Sequence, residues 1–375
     1  MYPRPQLKRE SFFLLNGQWD FAFDDENIGV LEGWSHTVRG DRKINVPFTY
    51  ETGKSGIGDE RPHGVIWYWK NITITNEFKK DQSIQINFEG CDYHLDLWVN
   101  GVYKGSHDGA YTRFAFELGK FAEGEEVLLS IRVEDPHSEE QVRGKQRWLS
   151  DNYGCWYVQT TGIWKDVWLE QVSDDYVEKI KITPDIYKKT VTIHTMCHSN
   201  KENLIMKSDV YFEGKCQMDI DVYNKYVGEW GIELWSPDAP NLYTLKISIL
   251  DEDDNCKDEV ESYFGMRDIR IRNGLVLLNG QPLYQRLVLD QGYWKDTGLT
   301  PENDDVLLKD IEYVKRMGFN GVRKHQKTES DRFLYWCDVH GLLVWGEGPS
   351  FYKYSDKAAK NFVREWTEIV EQNYN

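Results

Sequence analysis

Hydrophobic residues alternate with polar ones through most of the first 265 residues, and from about residue 266 that pattern gives way to strands and helices in turn. A period of 2 puts apolar side chains on one face of a strand, whereas a period near 3.6 stripes one side of a helix, so a single layer cannot serve both. Ile84, Ile86 and Phe88 alternate with polar residues, as do Leu95, Leu97 and Val99, and then Val127, Leu129, Ile131 and Val133. Asn100-Gly101 directly follows one such run and predicts a tight hairpin, because both residues tolerate positive φ. Asn16-Gly17 reads the same way. Many short strands without helical stretches give a β-sandwich or a jelly roll over residues 1–172.

Strands continue over residues 173–265 with a change of character. Ile180/Ile182, Val191/Ile193 and Leu245/Ile247/Ile249 alternate, and Pro237 and Pro240 lie in an irregular stretch before the last run. A segment of this size with several strands fits an immunoglobulin-like sandwich. The acidic run Asp251-Glu252-Asp253-Asp254-Asn255 reads as a solvated hairpin tip. A calcium loop is the alternative, although the run lacks the Gly and terminal Glu of a regular one.

Residues 266–375 predict three strand–helix units. A strand over 283–289 leads to a helix that opens at Thr300-Pro301, carries Leu307, Ile311 and Val314 on one face and ends at Gly318. A strand over 319–322 precedes a helix over about 330–340 that Gly341 stops, and a strand over 342–345 precedes a third helix from Ser355. That last helix stripes Ala359, Phe362, Val363, Trp366, Ile369 and Val370. Three such units begin a parallel sheet or a (β/α)8 barrel. A full barrel takes roughly 250 residues, so the expectation is a barrel interrupted after three units, with a small three-stranded α/β domain as the other reading.

Composition narrows the function. The balance of 45 basic against 62 acidic residues, net −17, opposes the basic stripe of a nucleic-acid binder. No apolar run approaches the ~20 residues of a membrane span, and Met1-Tyr2-Pro3-Arg4-Pro5 lacks a signal-peptide core, so a cytoplasmic protein is expected. Six scattered cysteines, Cys91, Cys155, Cys197, Cys216, Cys256 and Cys337, have neither zinc spacing nor disulfide density and read as reduced thiols. Aromatics reach 14%. Most supply core volume, and any at a cleft would suit the apolar faces of sugars.

Three sets of motifs act together. The first is Phe88-Glu89-Gly90-Cys91-Asp92-Tyr93 with Leu97-Trp98-Val99-Asn100-Gly101. The second is Arg143-Gly144-Lys145-Gln146 with Thr161-Gly162-Ile163-Trp164-Lys165-Asp166-Val167-Trp168-Leu169-Glu170. The third is Phe264-Gly265-Met266-Arg267, Leu278-Asn279-Gly280-Gln281-Pro282, Gly318-Phe319-Asn320-Gly321-Val322-Arg323 and Leu343-Val344-Trp345-Gly346-Glu347. In order and spacing this set resembles glycoside hydrolase family 2, the β-galactosidase and β-glucuronidase group, over essentially the whole chain.

The resemblance implies a sugar-binding jelly roll, an immunoglobulin-like sandwich and a TIM barrel. It also implies retaining hydrolysis of β-glycosides by two glutamates, an acid/base in an Asn-Glu pair after barrel strand four and a nucleophile after strand seven. Neither strand is within the three units, so both glutamates are expected beyond Asn375 and the chain alone is expected to be inactive. Some members of the family bind magnesium or sodium, but no residue cluster in this sequence calls for a metal or other cofactor.

Barrel sites form at the carboxyl ends of strands, which puts six residues forward as substrate-binding. Asp290 and Trp294 follow the first strand in Asp290-Gln291-Gly292-Tyr293-Trp294, where many relatives carry a His-containing segment. Asp290 would accept from sugar hydroxyls or serve as a loop cap or ion-pair partner, and Trp294 would stack on a ring or pack. Arg323 and His325 follow the second strand. In the family the Arg lies near the catalytic carboxylates, and His325 would donate to a sugar hydroxyl or be a satisfied polar residue; neighbouring Lys324 and Lys327 read as solvated. Trp345 reads as wall or core, and Glu347, one strand too early for the acid/base, as a residue that binds substrate or supports one that does. Arg323, Glu347 and Asp290 should then converge on one cleft. Asp92, Tyr93, Arg143 and Trp164 read mainly as residues holding the jelly roll to the barrel, with a reach into the cleft as the alternative.

A glycosidase acting on a carbohydrate substrate is the leading reading, with no nucleic-acid or membrane partner and with a homo-oligomer left open. The alternative is a non-catalytic carbohydrate-binding module or pseudoenzyme. A structural β-sandwich adaptor is the third. Sugar identity is not legible.

Overall fold

The computed structural model describes residues 2–201, 204–221, 226–227 and 232–375. The side chain of Cys216 lies outside them.

Residues 12–172 form two facing antiparallel sheets. The smaller runs Phe12–Leu14, Val167–Val172, Ser83–Phe88, Phe114–Gly119. The larger runs Arg42–Val46, Gly17–Phe23, Val65–Thr73, Glu126–Glu134, His94–Val99, Val102–Asp108. Alternation sets the packing: Ile84, Ile86 and Phe88 of one sheet and Leu95, Leu97, Leu129, Ile131 and Val133 of the other meet in one core. Strand Glu126–Glu134 is buried on its reverse face as well, where Trp67, Trp69 and Trp98 form a second cluster with Trp34. Asn100 and Gly101, at φ 49° and 80°, make the expected hairpin between His94–Val99 and Val102–Asp108. Asn16-Gly17 does not. Its flanking strands belong to different sheets, and the Asn16 amide donates to Asp166 at 2.7 Å and accepts from the Val167 amide at 3.1 Å, so it carries the chain across the sandwich.

The next segment has sheets of three strands (Tyr176–Asp185, Thr190–His198, Tyr226–Val227) and four (Lys215–Asp221, Ile205–Phe212, Tyr243–Leu250, Cys256–Phe264). Leu245, Ile247 and Ile249 face its core. The acidic tip is a turn: the Asp251 carboxylate accepts from the Asp253 and Asn255 amides and pairs with Lys257 at 2.8 Å.

The last segment holds three parallel strands, Leu287–Asp290, Gly321–Lys324 and Leu343–Gly346, each followed by a helix: α1 (Asp304–Arg316), α2 (Asp331–His340) and α3 (Asp356–Gln372). The second strand begins at Gly321, two residues later than expected, and two other starts differ by more. The first strand begins later because residues 269–282 form an antiparallel three-stranded sheet. Helix α1 begins at Asp304 because Asn303, not Thr300, caps it by accepting from the Val306 amide, while the Thr300 hydroxyl donates to the Trp164 carbonyl. Gly341 stops α2 at φ 67° as expected. Helix α3 buries Ala358, Glu365 and Ile369, whereas Val363 and Val370 of the expected stripe are exposed. Among the described residues no helix is long and apolar enough to cross a membrane.

Candidate functional site

Register decides which way each strand-end side chain points. Leu289, Arg323 and Trp345 are neighbours across the three strands, and so are Asp290, Lys324 and Gly346. Successive side chains on a strand take opposite faces. Val322 packs with α1 and α2 against Leu307, Ile311 and Phe333. Arg323, one residue on, therefore points to the other face, the barrel interior, with Leu289 and Trp345. Both of those are about half exposed, Trp345 at 51%.

Glu347 follows Trp345 by two residues and shares that face. Its carboxylate forms a salt bridge with the Arg323 guanidinium and lies 3.9 Å from Nε2 of His325. Burial lowers the His325 pKa, Lys145 and Arg323 add to that, and Glu347 opposes it. The imidazole is thus neutral at pH 7 and can donate one hydrogen bond and accept another. Arg323, His325, Trp345 and Glu347 come together.

Asp290 and Trp294 do not join them, which corrects the expected convergence. One Asp290 oxygen accepts from Lys324 at 2.8 Å and the other from the Gly292 amide at 2.8 Å. Trp294 packs into the cluster between the strands and helices α1 and α2, with the Lys327 ammonium 4.7 Å from its ring centre. Both lie on the helix side of the sheet.

Lys324 and Lys327 are not solvated either, at 2% and 1% exposure. Both contact the Glu329 carboxylate, at 2.7 and 3.0 Å, and Lys327 also donates to the carbonyls of Gly292 and Leu299. Burial would raise the Glu329 pKa, but the two lysines outweigh it and hold it at about 2. Burial lowers Lys327 to about 8, with Glu329 opposing and Lys324 reinforcing. Two cations and two carboxylates thus balance in a closed site and fix the 290–299 loop to the second strand. The sequence marks none of this, because Lys324, Lys327 and Glu329 have the composition of a solvated loop.

Of the four jelly-roll residues, Tyr93 and Trp164 reach the barrel segment, whereas the side chains of Asp92 and Arg143 brace the jelly roll internally. Asp92 accepts from Gln141 at 3.1 Å and from Gln146 at 2.6 Å, and Arg143 donates to the carbonyls of Gln146, Ser138 and Arg147. The Trp164 indole donates to the Ala110 carbonyl, and the Tyr93 hydroxyl accepts from Asn361 of α3 at 3.1 Å. The amides of Arg143 and Gly144 donate to Ser350, three residues past Glu347. This seats residues 143–157 of the jelly roll beside the strand-end site. Among the described residues no group of three or more His, Cys, Asp or Glu side chains could hold a metal ion.

Comparison with known proteins matches three models in succession: "Glycosyl hydrolases family 2, sugar binding domain" over residues 12–172, "Glycosyl hydrolases family 2" over 175–267, and "Glycosyl hydrolases family 2, TIM barrel domain" over 269–368. The chain belongs to glycoside hydrolase family 2. It is 27% identical over 374 residues to a β-galactosidase of Thermoanaerobacter pseudethanolicus, covering 94% of this chain and 47% of that protein. It is 24% identical over 415 residues to a β-galactosidase of Leuconostoc mesenteroides, covering 96% and 38%. The chain thus spans between about two fifths and one half of the length of these curated relatives. Its fold matches a β-glucuronidase from Ruminococcus gnavus solved with D-glucuronic acid, with a TM-score of 0.82 at 18% identity, over 100% of this chain and 67% of that one. Jelly roll, immunoglobulin-like sandwich and the opening units of a TIM barrel therefore follow one another as the family has them.

Proposed function

We propose that these residues form part of a retaining β-glycosidase of the β-galactosidase/β-glucuronidase type, and that Arg323, His325, Trp345 and Glu347 line its sugar site. The observation that carries this reading is the Arg323–Glu347 ion pair beside a neutral His325 on the inner face of the barrel strands. A guanidinium is charged at every working pH and presents a fixed fork, so it suits holding carboxylates ionised and oriented. Glu347 fixes the orientation of Arg323, His325 contributes a hydrogen-bond donor or acceptor for a hydroxyl, and Trp345 offers a ring face to the apolar side of a sugar.

Retaining chemistry needs an acid to protonate the leaving oxygen and a nucleophilic carboxylate ~5–5.5 Å from it. By family pattern both glutamates follow barrel strands four and seven, outside the three units described above. Asp290, held by Lys324, acts as a loop anchor. The substrate is a carbohydrate.

The test compares the 375-residue chain with a version extended through all eight barrel units, using chromogenic β-galactosides and β-glucuronides. The extended protein should turn substrate over and the chain alone should not. An extended protein that binds glycosides without turnover would instead support a carbohydrate-binding pseudoenzyme.

A further inference from the structure

Lys145 is a buried cation whose charge no carboxylate answers. It is 9% exposed, and its ammonium donates to the Cys155 sulfur at 3.2 Å and stands 5.6 Å from the centre of the Trp156 ring. Among the described residues no carboxylate oxygen lies within 4.0 Å of it. Its neighbours differ: Arg143 gives its donors to three carbonyls, and Arg147 to Gln159, Asn152 and the Glu60 carbonyl. An ammonium has three donors and a thiol is a weak acceptor. A buried charge left in that state costs free energy that an incoming anion would recover.

Its place relates it to the strand-end site. The Tyr157 amide donates to the Lys145 carbonyl at 2.9 Å, and the Tyr352 hydroxyl lies between the Gly144 carbonyl at 2.5 Å and the Gln326 side-chain amide at 2.6 Å, so the 143–157 loop rests on the ends of the second and third barrel strands. Lys145 is near enough to His325 to act on its protonation together with Arg323 and Glu347. Of the cations in this neighbourhood, Arg323 already has its carboxylate. Lys145 does not. Beside it Trp148, Tyr153, Trp156 and Tyr352 pack as a partly exposed aromatic group, with Trp148 stacked on Tyr352 at 4.8 Å.

We propose that Lys145 is an anion-recognition residue of the glycoside site, taking the carboxylate of an acidic sugar while the adjacent rings receive its apolar face. This rests on the glycosidase reading above and adds to it the substrate class, uronides over neutral glycosides. The jelly roll then supplies specificity to chemistry carried by the barrel.

Methyl β-D-glucuronide and methyl β-D-glucoside differ only at C6, a carboxylate against a hydroxymethyl group, and serve as probes. Each is titrated into the full 375-residue chain carrying 5-fluorotryptophan, with the Trp156 19F signal assigned through Trp156→Phe. The glucuronide should shift that signal saturably with a Kd at least ~10-fold below that of the glucoside. Lys145→Met should abolish the difference and Lys145→Arg should retain much of it. Equal affinity of the wild-type chain for the two probes, or an unchanged preference in Lys145→Met, overturns the uronide assignment while leaving the glycosidase reading standing. Failure of both probes to shift Trp156 overturns the assignment, whereas failure of the extended protein to turn over any glycoside is what removes the glycosidase reading.

Discussion

The ammonium of Lys327 and the carboxylate of Glu329 meet at 3.0 Å in a site closed to solvent, and the same ammonium holds the carbonyls of Gly292 and Leu299. This pair ties the loop after the first barrel strand to the end of the second. Lys327→Met removes one charge from a balanced set of four and strands two carbonyls. Breaking a buried pair by deleting one partner typically costs about 3–5 kcal/mol, so the variant should lose several degrees in the melting transition of the α/β segment. Gly292→Ala should act in the same direction, since Gly292 sits at φ +61° and an added Cβ would lie 2.7 Å from the Lys327 nitrogen. Thermal unfolding followed by tryptophan fluorescence checks both, and an unchanged melting temperature in Lys327→Met would show that the network does not hold the loop.

Stability should fall as pH rises from about 5 to 8. Glu365, on α3, is buried, and one of its oxygens accepts the amides of Ala110 and Tyr111 at 2.9 Å while the other has no partner. Burial pushes its pKa up to about 7, against the opposing pull of those two amides and Arg364. Burial likewise raises Glu89 to about 7 and Glu51 to about 8. A carboxyl whose folded pKa exceeds its unfolded one contributes stability that is present below the unfolded value, near 4.5, and lost as pH climbs through the folded one. His107, lowered to about 4, and His325, also lowered, work the opposite way below about pH 6.5, while His94, raised to about 10, adds to the fall above it. Glu365→Gln should flatten the profile by removing up to ~3 kcal/mol of that dependence. Urea midpoints at pH 5.5, 7 and 8.5 measure it, and a midpoint that rises with pH in the wild-type chain would contradict the assignment.

The sandwich strands were legible because each buries one face, which forces the alternation at Ile84–Phe88 and Val127–Val133. The three strand–helix units were legible for the same reason, apart from where the first strand begins and from the start of α1, where Asn303 and Thr300 are equivalent as letters and only the Trp164 carbonyl decides between them. The site was half legible. Arg323, His325, Trp345 and Glu347 follow from their position at strand ends, but motif order cannot tell the inner face of a barrel strand from the outer. That is why Asp290, in register with buried Lys324, was grouped with them. Lys145 and Glu365 carry no signal of periodicity, because burial of a charged side chain is a tertiary fact.

The 375-residue chain should self-associate at high concentration. Among the described residues strand Leu343–Gly346 is paired on one side only, and Leu289 and Trp345 expose about half of their side chains on the same face of that sheet. An open parallel edge beside an apolar face is a template for further strands. Trp345→Lys should raise the concentration at which light scattering appears. A wild-type chain that stays monodisperse at high concentration would count against an available edge.

Arg323 and Glu347 should prove interdependent in the protein extended through the whole barrel. In Glu347→Gln the partner that orients the guanidinium becomes neutral but keeps an acceptor oxygen, so Arg323 stays charged and loses only direction. In Arg323→Met the permanent cation proposed to stand beside the reacting carboxylates is gone, and removal of one electrostatic stabiliser of this kind costs about 10²–10³ in kcat. Arg323→Lys should recover little, because a single ammonium cannot reproduce the fork that pairs with a carboxylate. The loss in Glu347→Gln should be smaller than in Arg323→Met, and the double variant should be no slower than Arg323→Met alone, since Glu347 acts through Arg323. Single-turnover rates with an aryl β-glycoside decide this. If instead Glu347→Gln abolishes turnover while Arg323→Met does not, Glu347 itself is the group that reacts with the substrate, and the acid/base and nucleophile do not both lie after strands four and seven.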